Sequence, residues 1–335
     1  MQKRLAYLDL ASGIMTIWVL YFHALFPIFD GKILNNIPFL YFFMPWFFYK
    51  SGMMFSPKDS KIEWQNGVRK LLKTFAIWSL IGYIAHILWH WYIGDLTPRL
   101  AFYSPLRSLF LSCSVPMNGA VWFLPILFLV RQIGNYLLPR INAIWIVLVT
   151  LCLCIFFQLV KIPFLPAWIS CTTWGLFFFA FAYWVKDYET NKWLILVSAV
   201  VYIASLFTPI SYVYGGGAPL WSRLLYYPSC ALACVFFNNA CRWLITATEQ
   251  LEKIPIHWHF PILSYVGKNA MLYYVPHYIL FRLTFEIVAR YNDAWYSGWQ
   301  GLVIITIVYA VVLTSISYFS NPDTGRIPTR YRAKS

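Results

Sequence analysis

Apolar residues along this chain run in long unbroken blocks, with polar residues gathered between them. The blocks lie near 10–29, 38–55, 72–94, 119–138, 142–160, 166–185, 192–209, 219–243, 262–288 and 299–320. Each approaches the roughly 17–25 residues that a helix needs to cross a bilayer. A helix that is apolar on every side must lie in a core or in lipid. In lipid it satisfies its own backbone hydrogen bonds, which an open strand cannot do. The pattern therefore predicts an all-α, polytopic integral membrane protein with about ten transmembrane helices. The eighth block is the least regular, because Arg223 sits in its first turn. The longest connection, 95–118, has room only for a loop or a surface helix. Residues 1–335 thus read as a single transmembrane domain with no soluble accessory domain.

Composition agrees with that pattern. Hydrophobic types make up 60% of the chain and charged residues 11%, against roughly 25% charged in a soluble domain. The net charge of +14 would suggest nucleic acid in a soluble protein. Here most Lys and Arg fall between apolar blocks, so membrane lipid is the expected partner and nucleic acid is not. With an even number of spans and both termini in the cytoplasm, about 17 Lys and Arg fall on the inner side and 6 on the outer. That is the direction the positive-inside rule requires. The seven cysteines include no CxxC pair, so neither a metal site nor a disulfide framework is expected. Lys3 and Arg4 precede an apolar run of about 20 residues. This exceeds a signal-peptide core of roughly 7–15 residues, so the run reads as the first transmembrane helix. The glycine-rich "YGGGAP" at 214–219 reads as an outer loop.

Polar side chains inside such blocks are costly and mark function or pairing. In "LDLASGIMTIWVLYFH", Ser12, Thr16, Val19 and His23 share one helix face. Ser12 and His23 are separated by about 16 Å of helical rise. That stripe suits one wall of a buried pore, or a histidine held by helix packing. Lys50, in "MPWFFYKSGMMF", either reaches the interface along its alkyl stem or serves a site. Asn118 and Trp122 open the fourth block, where an interfacial Trp is common. In "PILSYVGKNAMLYYVPHYILF", Gly267-Lys268-Asn269 marks a helix start. Pro276 is expected to break the ladder beside His277, with Tyr273 one turn earlier. Arg282 and Glu286 have the spacing of an i, i+4 ion pair.

Taken together, these segments resemble acyltransferase family 3, a family of integral membrane acyltransferases. Its first-helix signature ends in histidine, as "LDLASGIMTIWVLYFH" does. An "FFxSG"-like element is matched by "FFYKSG", a "WFL" element by "VWFLPILF", and a "GxNSxxxYxxH"-like run by "GKNAMLYYVPH". The matches follow one another in order over nearly the whole chain. Two positions depart. Ser12 stands where the family usually has Arg or Lys, and Ala270 where it often has Ser.

The resemblance implies a membrane O-acyltransferase of the polysaccharide or sugar O-acetyltransferase type. It would move an acyl group, by default acetyl, from cytoplasmic acetyl-CoA to a hydroxyl of a sugar or cell-envelope glycan. Acyl-CoA is then a co-substrate, with no bound cofactor and no metal. His23 becomes the catalytic residue, as general base or acyl relay. Ser12, Lys50, Trp122, Asn269, Tyr273 and His277 become donor-binding or pore-lining residues, with Lys50 replacing the charge absent at Ser12. Arg69, Lys70 and Lys73 form an inner basic loop for the donor's phosphates. The implied location is a bacterial inner membrane. A glycan or lipid exporter, or a non-catalytic homologue, is the competing reading of the same helices.

Overall fold

The computed structural model describes residues 5–28, 41–160, 162–208, 219–251, 260–291 and 299–320. The loop at 214–218 lies outside the described residues, as do Lys3, Arg4, Lys32, Lys161, Lys253, Arg326, Arg330, Arg332 and Lys334.

The described residues are helical and contain no strand. The α-helices are α1 (Ala6–Ile28), α2 (Phe43–Met53), α3 (Ser60–Gly67), α4 (Lys73–Ile93), α5 (Ser104–Ser112), α6 (Phe123–Leu137) and α7 (Ala143–Leu159). They continue as α8 (Ala167–Val185), α9 (Lys192–Leu206), α10 (Leu220–Leu251), α11 (Pro261–Lys268), α12 (Ala270–Tyr291), α13 (Trp299–Val308) and α14 (Thr314–Ser320). Helix occupies part of every apolar block. Among the described residues, five helices are long and apolar enough to cross a membrane: Ser60–Ile93, Gly119–Leu137, Ala167–Val185, Leu220–Thr248 and Trp299–Ile316. On α4, Leu80, Ile84, Leu88 and Trp91 are all exposed, as lipid-facing residues must be.

Three expectations meet a different geometry. The second block forms only an 11-residue helix, about 16 Å long; Pro57 follows closely, and the chain leaves the helix at Met54. Arg69, Lys70 and Lys73 lie on a helix rather than in a loop. Asp59 caps α3 by accepting from the Lys61 and Ile62 amides at 2.9 and 3.2 Å. The helix then passes through one π turn, Val68–Leu72, into α4. No proline interrupts residues 60–72. Finally, α12 runs through Pro276, and the break comes earlier, at Asn269. Elsewhere the pattern is followed: 95–118 carries the short helix α5. Arg282 Nη2 meets Glu286 Oε1 at 2.8 Å.

The chain divides into two compact units, 1–36 with 244–335, and 37–243. In the second, α8 is the central helix, buried along Phe177–Ala180 and packed by α2, α6 and α7. Glycine permits the closest approach. A Cβ at Gly52 would lie 2.1 Å from the Phe179 carbonyl oxygen. In the first unit, α1 packs on α11 and α12. Its apolar core joins Leu20, Ala24, Tyr273, Phe281, Ile305 and Tyr309.

Candidate site: a pair of histidines in the discontinuous unit

Two glycines set the register of α1. A Cβ at Gly13 would lie 2.0 Å from the Leu263 carbonyl oxygen, and one at Gly267 would lie 1.8 Å from that of Asp9. Only hydrogen side chains allow the two backbones to touch in this way. The seam anchors the first half of α1, including the fully buried Ser12 and Thr16. Asn269 then ends α11. Its amide reaches the Tyr265 and Val266 carbonyls, both at 3.1 Å, and its side chain donates to Tyr265 O at 3.0 Å. Its own carbonyl accepts from Leu272 at 2.8 Å, which starts α12. Asn269 is a hinge between two helices.

From that hinge, α12 carries His277 to α1. The His23 and His277 rings are 5.3 Å apart, centre to centre, and tilted by 33°. Tyr278 meets His23 edge-on at 5.0 Å, and Phe22 does so at 5.6 Å. His277 is fully buried, whereas His23 is half-buried. His277 Nδ1 donates to the Tyr274 carbonyl one turn back. Its Nε2 has no hydrogen-bond partner among the described residues, nor does the hydroxyl of Thr16 on the His23 face of α1. Across the unit, Tyr309 donates to Leu20 O at 3.3 Å, and Tyr21 meets Thr306 Oγ1 at 2.9 Å. These bonds hold α1 against the last helices. An imidazole pair in apolar surroundings can take up and return a proton, or carry an acyl group on nitrogen.

Of the residues singled out in the sequence, this unit contains Ser12, His23, Asn269, Tyr273 and His277. It brings His23 and His277 together. Tyr273 lies in the apolar core, and Asn269 forms the hinge.

Lys50, Trp122, Arg69, Lys70 and Lys73 belong to the other unit. There Lys50 Nζ lies 5.6 Å from the centre of the Trp46 ring. Trp122 ends a 3₁₀ turn, 6.5 Å from Trp174. The three basic residues are exposed. The "FFYKSG" element ties α2 into its surroundings. Tyr49 donates to Glu189 Oε1 at 3.0 Å, and Ser51 Oγ accepts from Arg131 at 3.3 Å. Two buried carboxylates here, Glu63 and Glu189, left no signal in the sequence pattern. Glu189 also accepts from Asn238 at 2.8 Å and Arg242 at 2.9 Å. Glu63 accepts from Arg131 Nε at 2.8 Å. Both acids sit between apolar blocks, where a charge reads as solvated; their burial depends on partners distant in sequence.

Comparison with known families gives one match, to the acyltransferase domain model of acyltransferase family 3, over residues 5–320. No curated relative and no solved structure matches the chain.

Proposed function

The chain belongs to acyltransferase family 3, a family of membrane acyltransferases, and from that premise we propose that it is an O-acyltransferase acting through the buried histidine pair. The match over residues 5–320 carries the reading, and the pairing of His23 with His277 supports its chemistry. The donor is acyl-CoA, acetyl-CoA by default, and it approaches from the cytoplasm. The acceptor is a hydroxyl of a sugar or cell-envelope glycan. His23 acts as general base or acyl relay, roles open to a side chain whose ordinary pKa is near neutrality. About ten spans, both termini in the cytoplasm and a bacterial inner membrane complete the proposal. The helix found in every apolar block and the excess of basic residues on one side favour it.

Arg69, Lys70 and Lys73 offer exposed positive charge to the donor's phosphates. Lys50 is proposed to give donor binding a positive charge, since the chain carries none at Ser12. The substitution at Ser12 is also the one observation that favours a non-catalytic homologue. Both points meet in one assay, the release of free CoA thiol from acetyl-CoA by the purified protein with envelope glycan as acceptor. The wild type is expected to release CoA, and Lys50→Ala to raise the KM for acetyl-CoA about tenfold, the loss of about 1.4 kcal/mol of donor binding. Absence of thiol release by the wild type would favour the non-catalytic homologue. An unchanged KM in the variant would dismiss Lys50 as the replacement charge.

A further inference from the structure

We infer that His277, through Nε2, is the group that takes the proton from the acceptor hydroxyl. The inference rests on the acyl-transfer reading above and assigns within it a role that the reading leaves between base and relay.

His277 Nδ1 is hydrogen-bonded to the Tyr274 carbonyl. A carbonyl only accepts, so Nδ1 carries the hydrogen. In the neutral ring, Nε2 must then hold a lone pair. That lone pair is fully buried and has no partner among the described residues. A buried acceptor with nothing to accept from is costly, so it is expected to meet a donor during the working cycle. The titratable groups around the ring are His23 at 5.3 Å, Tyr274 at 5.5 Å, Tyr278 at 6.3 Å and Tyr309 at 6.5 Å between ring centres. No carboxylate or ammonium faces it among the described residues. A hydroxyl oxygen about 2.8 Å from a nitrogen of each imidazole is compatible with that ring spacing.

The Tyr274 carbonyl does for His277 what an orienting acceptor does for any histidine base. It fixes the tautomer, holds the ring in place and stabilises the imidazolium once formed. Among the described residues no comparable bond fixes a tautomer for His23, which is half-buried and bordered by Phe22 and Tyr278.

The step balances. The hydroxyl proton passes to Nε2 as the hydroxyl oxygen bonds to the acyl carbon. The C–S bond of the thioester breaks, and the same proton returns from Nε2 to the sulfur, giving CoA thiol. If the acyl group is first carried on His23, thiolate leaves in the first half. His277 then takes the hydroxyl proton in the second half and delivers it to that thiolate. In either order His23 positions the hydroxyl or carries the acyl group.

The test uses membranes containing the full-length protein, radiolabelled acetyl-CoA as probe, and alkali-labile ester label as readout. Two variants are matched to wild type for membrane level. His277→Asn keeps an N–H able to reach the Tyr274 carbonyl, and His277→Gln keeps a polar atom near the place of Nε2; neither supplies a base. Each is expected to lower the rate of ester formation about 100- to 10,000-fold, with the KM for acetyl-CoA little changed. The wild-type rate should fall as pH drops and the base is protonated, and the residual rate of the variants should lose that acid limb. A rate within about threefold of wild type, or a slower rate that keeps the acid limb, would overturn the assignment, since a purely structural histidine gives the second result. Wild-type membranes that incorporate no more label than membranes lacking the protein would instead overturn the acyl-transfer reading beneath it.

Discussion

At the scale of single residues, the candidate site depends on side chains that are absent as much as on those present. Gly13 and Gly267 let α1 and α11 meet backbone to backbone, and His23 and His277 inherit their relative height from that seam. Gly13→Ala would place a methyl group where a carbonyl oxygen already lies. Because the obstacle is backbone, it cannot swing aside. The expected cost is at least the roughly 1–3 kcal/mol typical of overpacking. Thermal unfolding in detergent should register it as a lower midpoint, together with reduced acyl transfer. Gly94 offers the control for space, since a Cβ there meets nothing within 4 Å. Its φ of 78° still favours glycine, so Gly94→Ala costs about 1 kcal/mol or more through the backbone alone and should leave the histidine pair in place. A Gly13→Ala protein with an unchanged midpoint would mean that the seam is looser than its geometry.

At the scale of elements, helices were legible wherever apolar blocks were long, because hydrophobic length is a local property of the chain. The i, i+4 pairing of Arg282 with Glu286 was legible for the same reason. Features that depend on distant partners were not. Residues 60–72 look like a basic loop by charge, yet Asp59 caps them into a helix that continues into α4. Pro276 looks like a break, yet the helix ends instead at Asn269, whose side chain and backbone together serve as cap. Pro276 removes only one amide from the ladder, and the chain on either side remains helical. The histidine pair was half legible. Each histidine stood out as an ionisable group in an apolar block, but nothing local gives the 5.3 Å between their rings.

The Glu63–Arg131 pair, invisible in sequence, should matter for stability. Glu63 is 1% exposed, and its Oε2 has no partner among the described residues. Removing Arg131 would leave an uncompensated buried charge. Arg131→Met should therefore cost about 3–5 kcal/mol. Adding Glu63→Gln should recover part of that loss, as read by unfolding midpoints of the two single variants and the double. Strictly additive losses would show that the pair is not coupled.

At the scale of the whole molecule, composition, family and helix pattern converge on a membrane acyltransferase. An apolar exterior on helices such as α4 is tolerable only in lipid. The excess of basic residues in alternate connections supports the proposed cytoplasmic termini through the positive-inside rule. The family match spans both compact units, so neither unit alone represents the matched domain. The first contains the histidine pair, and the second contains Lys50 and the exposed Arg69, Lys70 and Lys73. Two carboxylate networks, around Glu63 and around Glu189, hold the second unit's helices together.

In the proposed reaction, acyl transfer runs through His23. The most direct measurement is base-labile acetate on envelope glycans, by mass spectrometry, in a deletion strain carrying wild type or His23→Ala at equal membrane levels. Acetate is expected to be restored by the wild type and reduced at least about 100-fold with His23→Ala. Equal restoration by both proteins would remove His23 from the chemistry.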